Sequence, residues 1–200
     1  MEARSSALGS VAREVELERS VRHQKFARRL IRLSAELLLL VALISLCFLR
    51  FPQVEGHSMQ PNIETGNHVL INTLAYEVHI GALVIGRHAI NRGDVVAFPR
   101  QDADEQRLFL KRVVGLPGDA VAIRHGALLL NGARLLEAYA TMPDSRDMAT
   151  VRIPSGSVFV LGDNRADSDD SRSFGPVPIS SIMGKAVLIM WPLSHVKRIE

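Results

Sequence analysis

An uncharged apolar run, LLLLVALISLCFL, occupies residues 37–49 and constrains the fold of this chain more than any other feature. Its flanks extend it, because residues 33–51 contain only Glu36 and Arg50 as charged side chains, each near an end where it can reach a membrane interface. Nineteen residues of helix measure roughly 28 Å, close to the ~30 Å hydrocarbon thickness of a bilayer. We therefore predict one transmembrane anchor helix over residues 33–51.

Two other interpretations of the run are a buried core helix and a cleavable signal peptide. A signal peptide fits poorly, because more than thirty residues precede the run and no small-x-small cleavage site follows it. Five basic residues lie just before the run: Arg22, Lys25, Arg28, Arg29 and Arg32. By the positive-inside rule, the basic tail of residues 1–32 is cytoplasmic, and residues 52–200 lie on the extracytoplasmic side of the cell membrane.

The charge of the chain is concentrated in this tail. Residues 1–32 hold eight Lys/Arg against four acidic residues, whereas the remainder holds sixteen against seventeen. A nearly neutral main domain argues against a nucleic-acid partner. Cys47 is the single cysteine, so an internal disulfide is excluded.

Metal and cofactor sites are not expected. None of the seven histidines falls in an H-E-x-x-H pattern or pairs with a cysteine. An acidic cluster resembles a calcium loop at a glance, but no glycine or terminal glutamate stands at the required spacing. The cluster consists of Asp163, Asp167, Asp169 and Asp170.

Residues 52–200 alternate short apolar segments with turn residues, which predicts a mainly β, antiparallel domain of barrel or sandwich type. The stretch RHGALLLNG indicates a hairpin with His125 and Gly126 at its turn. Residues 87–94 and 140–152 are the predicted loops. The predicted strands are residues 68–72, 94–98, 108–114, 120–124, 127–131, 158–161 and 185–191.

Ser58 stands in the stretch EGHSMQPN, whose composition is typical of an ordinary turn and leaves a nucleophile open. A Ser-His-Asp triad is one way in which Ser58 could be activated. The adjacent His57 suits that role poorly, because in an extended segment its ring would point away from the Ser58 side chain.

Lys111 lies in FLKRVVGLPGD, where a strand would normally carry a branched aliphatic residue. If the strand is buried, loss of hydration lowers the pKa of the lysine and makes it a candidate base. The alternative is a lysine that reaches the domain surface.

The stretch LGDNRADSDDSRSFGPVP, residues 161–178, predicts a long hydrogen-bonded loop of the kind that carries function on a β scaffold.

The ordered set GHSMQP, RGDVVAF, FLKRVVGLPGD and GDNRADSDDSRSFGPV, downstream of one anchor, closely resembles the type I signal peptidases of bacteria. These are membrane-bound Ser-Lys endopeptidases that remove signal peptides from exported preproteins. The resemblance covers residues 54–191. It implies the β-rich catalytic domain of that family, preproteins with Ala-x-Ala sites as substrates, no cofactor, and the lipid bilayer and the protein-export translocon as partners.

Individual residues match the motifs of the family. Ser58 matches the nucleophile, Lys111 the general base, and Ser168 the serine that orients the lysine amine. Asp170 and Arg172 match an acid and an arginine that brace the catalytic loop. The residues that match the pockets for small side chains at −1 and −3 are Val54, Met59, Phe109 and Leu110.

The chain departs from the family pattern in three places. Gly56 stands where some members have a serine that helps to hold the oxyanion, so backbone N–H groups, including that of Ser58, must carry that role. Ala166 replaces a residue that is often acidic. About forty residues separate Lys111 from GDNR, which leaves no room for the large inserted domain of some members.

Two further functions remain open at this point. One is a Ser-Lys protease that processes a single dedicated substrate. The other is a catalytically silent, membrane-anchored β module, against which the joint presence of Ser58, Lys111 and Ser168 argues.

Overall fold

The computed structural model describes residues 26–43, 48–76, 78–80, 83–85, 89–102, 105–140 and 144–199, with the backbone alone at 78–80, 83–85 and 102. The chain divides into two compact units, Met1–Cys47 and Phe48–Glu200. Residues 1–25 of the predicted basic tail and residues 44–47 of the predicted anchor lie outside the described residues.

The described part of the first unit is a helix, α1, over residues 26–43. Its sequence is dominated by Leu, Ala and Arg and lacks Gly and Pro, which is the composition that favours a helix. The side chains along this stretch are exposed. Within the described ranges, no helix combines the length and the apolar composition needed to cross a membrane.

The predicted anchor helix extended to residue 51, and this boundary is wrong. Leu49–Arg50 form a short strand, β1, opposite Asn72 and Ile71. Just before it, the carbonyl of Phe48 accepts hydrogen bonds from the backbone N–H and the hydroxyl of Thr73. These backbone groups are therefore engaged in a sheet and cannot continue a helical ladder.

The second unit is built on an eight-stranded antiparallel sheet. The strand order is β1-β2-β13-β5-β6-β11-β12, and β14 pairs with β13. Besides β1, its strands are β2 (His68–Asn72), β5 (Val95–Asp102), β6 (Glu105–Gly115), β11 (Ser157–Leu161), β12 (Val177–Pro178), β13 (Gly184–Trp191) and β14 (Lys197–Arg198).

A smaller four-stranded sheet has the order β10-β7-β8-β9, and β3 and β4 form a separate hairpin. The predicted turn between β7 and β8 is confirmed, since His125 and Gly126 both have positive φ angles and join the paired residues Arg124 and Ala127. The strands are β3 (Val78–Ile80), β4 (Leu83–Ile85), β7 (Ala120–Arg124), β8 (Ala127–Leu130), β9 (Ala133–Arg134) and β10 (Met148–Arg152).

The mainly antiparallel β class is confirmed, and each of the seven predicted strands overlaps an observed one. The predicted loop over residues 140–152 is wrong at its end, because Met148–Arg152 pair with β7. The single α-helix described in the second unit is α2, Ser171–Phe174, which Asp170 caps by accepting a hydrogen bond from the Arg172 backbone N–H. Two 3-10 turns cover Ile179–Ser181 and Leu193–His195.

Strand β6 connects the interior of the second unit, because its residues enter three separate apolar clusters. Leu110 belongs to the first cluster, Val113 to the second, and Val114 to the third. Every residue from Leu110 to Gly115 is buried, so both faces of this half of the strand are covered. Any polar side chain in this half of β6 is removed from water.

Candidate active site

Ser58 lies in a turn that two buried side chains anchor. Met59 and Ile63 are almost fully buried in the apolar cluster that also contains Leu110 of β6. The Ile63 backbone N–H donates to the Met59 carbonyl at 2.9 Å. The backbone N–H of Gln60 also donates to the His57 carbonyl at 3.1 Å. The turn expected from composition is therefore present, and the packing of Met59 and Ile63 holds it in position.

Lys111 lies on the buried half of β6 and is only 3 % exposed. It does not reach the surface, which excludes the snorkelling alternative. Its amine Nζ lies 2.6 Å from the Ser58 Oγ, within hydrogen-bond distance. Of the four histidines whose side chains are described, none hydrogen-bonds to Ser58.

Burial lowers the pKa of Lys111 to about 8, because a charged ammonium loses hydration in this strand. The nearby carboxylates of Asp170, Asp169 and Asp163 act in the opposite direction, while Arg172 adds to the lowering. A substantial fraction of the amine is therefore neutral near physiological pH, which a proton acceptor requires.

Asp170 and Arg172 form a charge pair beside the lysine. Arg172 donates to both Asp170 oxygens at 2.8 Å and to Asp144 at 2.8 Å. Burial would raise the pKa of Asp170, but the hydrogen bonds and charge of Arg172 and the N–H of Gly162 outweigh it, so the pKa is lowered. Asp170 is thus ionised and largely neutralised by its partner.

Ser168 lies in the same loop, and its hydroxyl is buried. It makes no hydrogen bond of normal geometry among the described residues, although it lies near enough to Asp170 to contribute to the lowered pKa of that carboxyl. The predicted hydrogen bond to Lys111 is therefore not made here. Ser168 lies against Gly162, where an added Cβ would clash with the Ser168 Oγ and lie 2.5 Å from the Ser58 carbonyl oxygen.

Sequence reasoning missed a second buried ion pair, between Arg112 and Asp163. Arg112 donates to both Asp163 oxygens at 2.8 Å, and the side chains are 2 % and 0 % exposed. Asp163 also accepts from Asn62 at 2.9 Å, four residues after the serine. The signal available in the sequence was a second charged residue in the apolar strand, directly after Lys111.

Asn164 was missed as well, although it holds the serine turn directly. Its backbone N–H donates to the Ser58 carbonyl at 3.0 Å, and its side-chain amide donates to the His57 carbonyl at 3.2 Å. The GDNR segment thus hydrogen-bonds to the backbone of the turn that carries Ser58.

A cleft of about 440 Å³ opens at Ser58 and Lys111. The four residues predicted for the substrate pockets all line it, and so do Gly56, Asp167 and Asp169. Val54, Met59 and Leu110 are buried beneath it, and Phe109 is partly exposed. A smaller groove of about 230 Å³ between Glu64 and His195 contains neither Ser58 nor Lys111 and lies apart from this chemistry.

Gly56 and Ala166, the two residues that depart from the family pattern, are both exposed. Gly56 has a φ of +82° and offers its carbonyl to the Thr65 hydroxyl at 2.6 Å. Ala166 lies on the surface of the GDNR loop. Among the residues that the structure describes, no three His, Cys, Asp or Glu side chains are grouped closely enough to hold a metal ion.

The family model for "Signal peptidase, peptidase S26" matches residues 27–191. The chain is similar to a signal peptidase I of Bacillus caldolyticus, with 36% identity over 156 residues, 71% of this chain and 79% of the relative. It is also similar to a probable signal peptidase I-1 of Synechocystis, with 34% identity over 79% of this chain and 82% of the relative. A solved signal peptidase I of Enterococcus faecalis aligns with a TM-score of 0.43 and 34% identity, covering 49% of this chain and 97% of that one.

Replacing Lys111 with methionine should stabilise the fold, since it removes a poorly hydrated ammonium from an apolar strand. Burial in the folded protein lowers the pKa of Lys111 from 10.5 to about 8. Removing the lysine should therefore raise the free energy of unfolding by about 3 kcal/mol. The gain is full below pH 8, where the folded lysine is charged, and disappears as the pH rises to 10.5, where the unfolded lysine is neutral too. Urea unfolding at several pH values measures it.

Lys185→Met provides the control of opposite sign. Lys185 donates to the buried carboxylate of Asp94 at 2.5 Å, so its removal leaves that charge without its cation. We expect Lys185→Met to lower stability. A destabilised Lys111→Met protein would show that burial does not penalise the charge of Lys111.

Proposed function

The chain belongs to the type I signal peptidases, the serine endopeptidases of peptidase family S26, and on that basis we propose that Ser58 and Lys111 form its catalytic dyad. It acts on preproteins that carry signal peptides. We further propose cleavage after small residues of the Ala-x-Ala type, by a catalytic domain anchored in the membrane.

The observation that carries this proposal is the 2.6 Å contact between the Lys111 amine and the Ser58 hydroxyl. A serine hydroxyl is a weak nucleophile unless a base accepts its proton. Lys111 has a pKa of about 8 and lies within proton-transfer distance, so it meets the requirements of geometry and of basicity together.

In the acylation step, the Ser58 Oγ attacks the carbonyl carbon at the scissile bond, and neutral Lys111 takes the hydroxyl proton. The negative charge moves to the carbonyl oxygen, toward which the backbone N–H of Ser58 is the available donor, since Gly56 has no side chain to contribute. The tetrahedral intermediate then collapses. The carbon–nitrogen bond breaks, and the Lys111 ammonium donates its proton to the leaving amine.

Deacylation repeats the same proton transfers with water. Lys111, neutral again, takes a proton from a water molecule that attacks the acyl carbon, and returns it to the Ser58 oxygen as the ester bond breaks. We propose that the Ser168 hydroxyl stabilises the ammonium during these steps, because it is buried in the same loop and makes no hydrogen bond of normal geometry among the described residues.

The substrate lies extended along β6. Residues 105–110 of this strand pair with β5, whereas β11 pairs only farther along, at Arg112, Val113 and Gly115. Leu108, Phe109 and Leu110 of this strand line the cleft at Ser58 and Lys111, where an extended substrate can add backbone hydrogen bonds to β6. Four of the apolar residues that line the cleft provide the shallow pockets for small side chains: Val54, Met59, Phe109 and Leu110.

We propose that the apolar run from residue 33 to the start of β1 at Leu49 supplies the membrane anchor, with residues 1–32 in the cytoplasm and residues 52–200 outside. The apolar run and the preceding basic residues support this orientation. Six of the exposed apolar side chains of the second unit would contact lipid: Phe51, Met183, Met190, Trp191, Leu193 and Val196. The bilayer and the protein-export translocon are the partners that this arrangement implies.

Ser58→Ala and Lys111→Arg should each lose at least about a thousandfold in kcat on a preprotein with an Ala-x-Ala site. Serine removal deletes the nucleophile, and arginine keeps the positive charge but does not deprotonate in the working pH range. Ser180→Ala, on a surface 3-10 turn, serves as the control and should cleave normally. An active Lys111→Arg enzyme would mean that another group is the base.

Leu40→Arg should weaken membrane retention, because it introduces a charge at the middle of the proposed anchor at a cost of about 3 kcal/mol. Ser34→Arg is the control, since a charge at the end of the proposed anchor can reach the interface. Alkaline carbonate extraction of membranes measures retention. Release of the unmodified chain, or equal retention of both variants, would contradict a single anchor in this apolar run.

A further inference from the structure

We propose that Glu137 is a positioning residue for the peptidase reaction and holds the catalytic loop against the Ser58 turn through Arg165. Glu137 stands outside every motif that identifies the family, between β9 and β10. This inference rests on the proposed role of Ser58 as nucleophile, because it concerns the residues that fix the position of that serine.

Glu137 and Arg165 form a buried, two-pronged ion pair. The guanidinium donates to the two carboxylate oxygens at 2.6 and 2.7 Å, and the side chains are 7% and 8% exposed. The Tyr139 hydroxyl adds a third hydrogen bond to Glu137 at 2.9 Å. Such a planar fork restricts both the position and the orientation of the guanidinium.

The restrained guanidinium acts on Gly162. Arg165 Nε donates to the Gly162 carbonyl at 3.0 Å, while the Gly162 N–H donates to Asp170 at 3.0 Å. Gly162 itself is pressed between the Ser58 carbonyl and the Ser168 hydroxyl, with no space for a methyl group. A shift of Gly162 would therefore move the serine turn or Ser168.

A second connection runs from the same segment to the other side of the serine turn. The Tyr139 carbonyl accepts a hydrogen bond from the Asn62 amide at 2.8 Å, and the Tyr139 ring lies 4.3 Å from the Arg112 guanidinium carbon. Arg112 directly follows Lys111 on β6. Residues 137–139 thus contact the loop, the serine turn and the lysine strand at once.

This arrangement distinguishes positioning from simple stabilisation. A displacement of roughly 1 Å between nucleophile and base can cost about a hundredfold in rate while substrate affinity is retained. Glu137 is not among the residues that line the cleft proposed to bind substrate. Loss of Glu137 should therefore reduce kcat and leave KM nearly unchanged.

The test uses the full chain in detergent with a preprotein substrate, and measures kcat, KM and the urea midpoint for each variant. Glu137→Gln keeps the shape of the side chain but removes its charge. We expect kcat to fall about 10- to 100-fold and KM to stay within about threefold. Tyr139→Phe, which deletes only the hydroxyl that bonds Glu137, should lower kcat by a smaller factor.

Asp119→Asn is the matched control. Asp119 is also a mostly buried carboxylate that accepts three kinds of hydrogen bond, from Arg92, Asn131 and the Leu116 N–H, but it does not line the cleft. We expect it to lower the urea midpoint and to leave kcat within about twofold of normal.

A folded Glu137→Gln enzyme with normal kcat would overturn the proposal, and so would an equal loss of kcat in Asp119→Asn. If Glu137→Gln does not fold, Tyr139→Phe decides the question, and a normal kcat in that variant contradicts it. Ser58→Ala distinguishes a failure of the proposed nucleophile from a failure of the proposed role of Glu137. Cleavage by Ser58→Ala would remove the proposed nucleophile, whereas an inactive Ser58→Ala with a normal Glu137→Gln would remove the role of Glu137 alone.

Discussion

The contact between a poorly hydrated lysine amine and a serine hydroxyl is the interaction on which the rest of this site depends. Lys111 is 3 % exposed on a strand that is covered on both faces, and its Nζ lies 2.6 Å from the Ser58 Oγ. Burial of the Lys111 ammonium in this strand lowers the stability of the folded protein. What the protein gains is a base that is partly neutral at physiological pH and that needs no histidine.

The charged residues around the lysine act on its pKa in opposite directions, and burial outweighs their effect. Asp170 alone would stabilise the ammonium and raise the pKa of Lys111, but its two-pronged pair with Arg172 offsets much of that effect. Asp163 is paired in the same manner with Arg112. The loop can therefore use strong charge-assisted hydrogen bonds for rigidity without returning the lysine to its ordinary pKa.

The sequence predicted the strands whose apolar residues form the core, and the β7–β8 hairpin, because these depend on local pattern and turn chemistry. It did not predict β1 or β9, which contain two residues each and exist only through their partners. The motifs identified Ser58 and Lys111 as neighbours. The ion pair of Glu137 with Arg165 could not be read, since it joins residues 28 positions apart whose approach is set by the two sheets.

The central claim concerns the protonation state of Lys111, and a direct titration of its amine tests it. Lysine labelled with ¹³C at Cε can be followed by NMR in the full chain between pH 6 and 12, with Lys111→Met used to assign the signal. The account predicts a titration midpoint near the pKa of about 8, with the neutral amine increasing as the pH rises. A midpoint at the ordinary lysine value of ~10.4 would contradict the account, because the amine would then be protonated wherever the enzyme works.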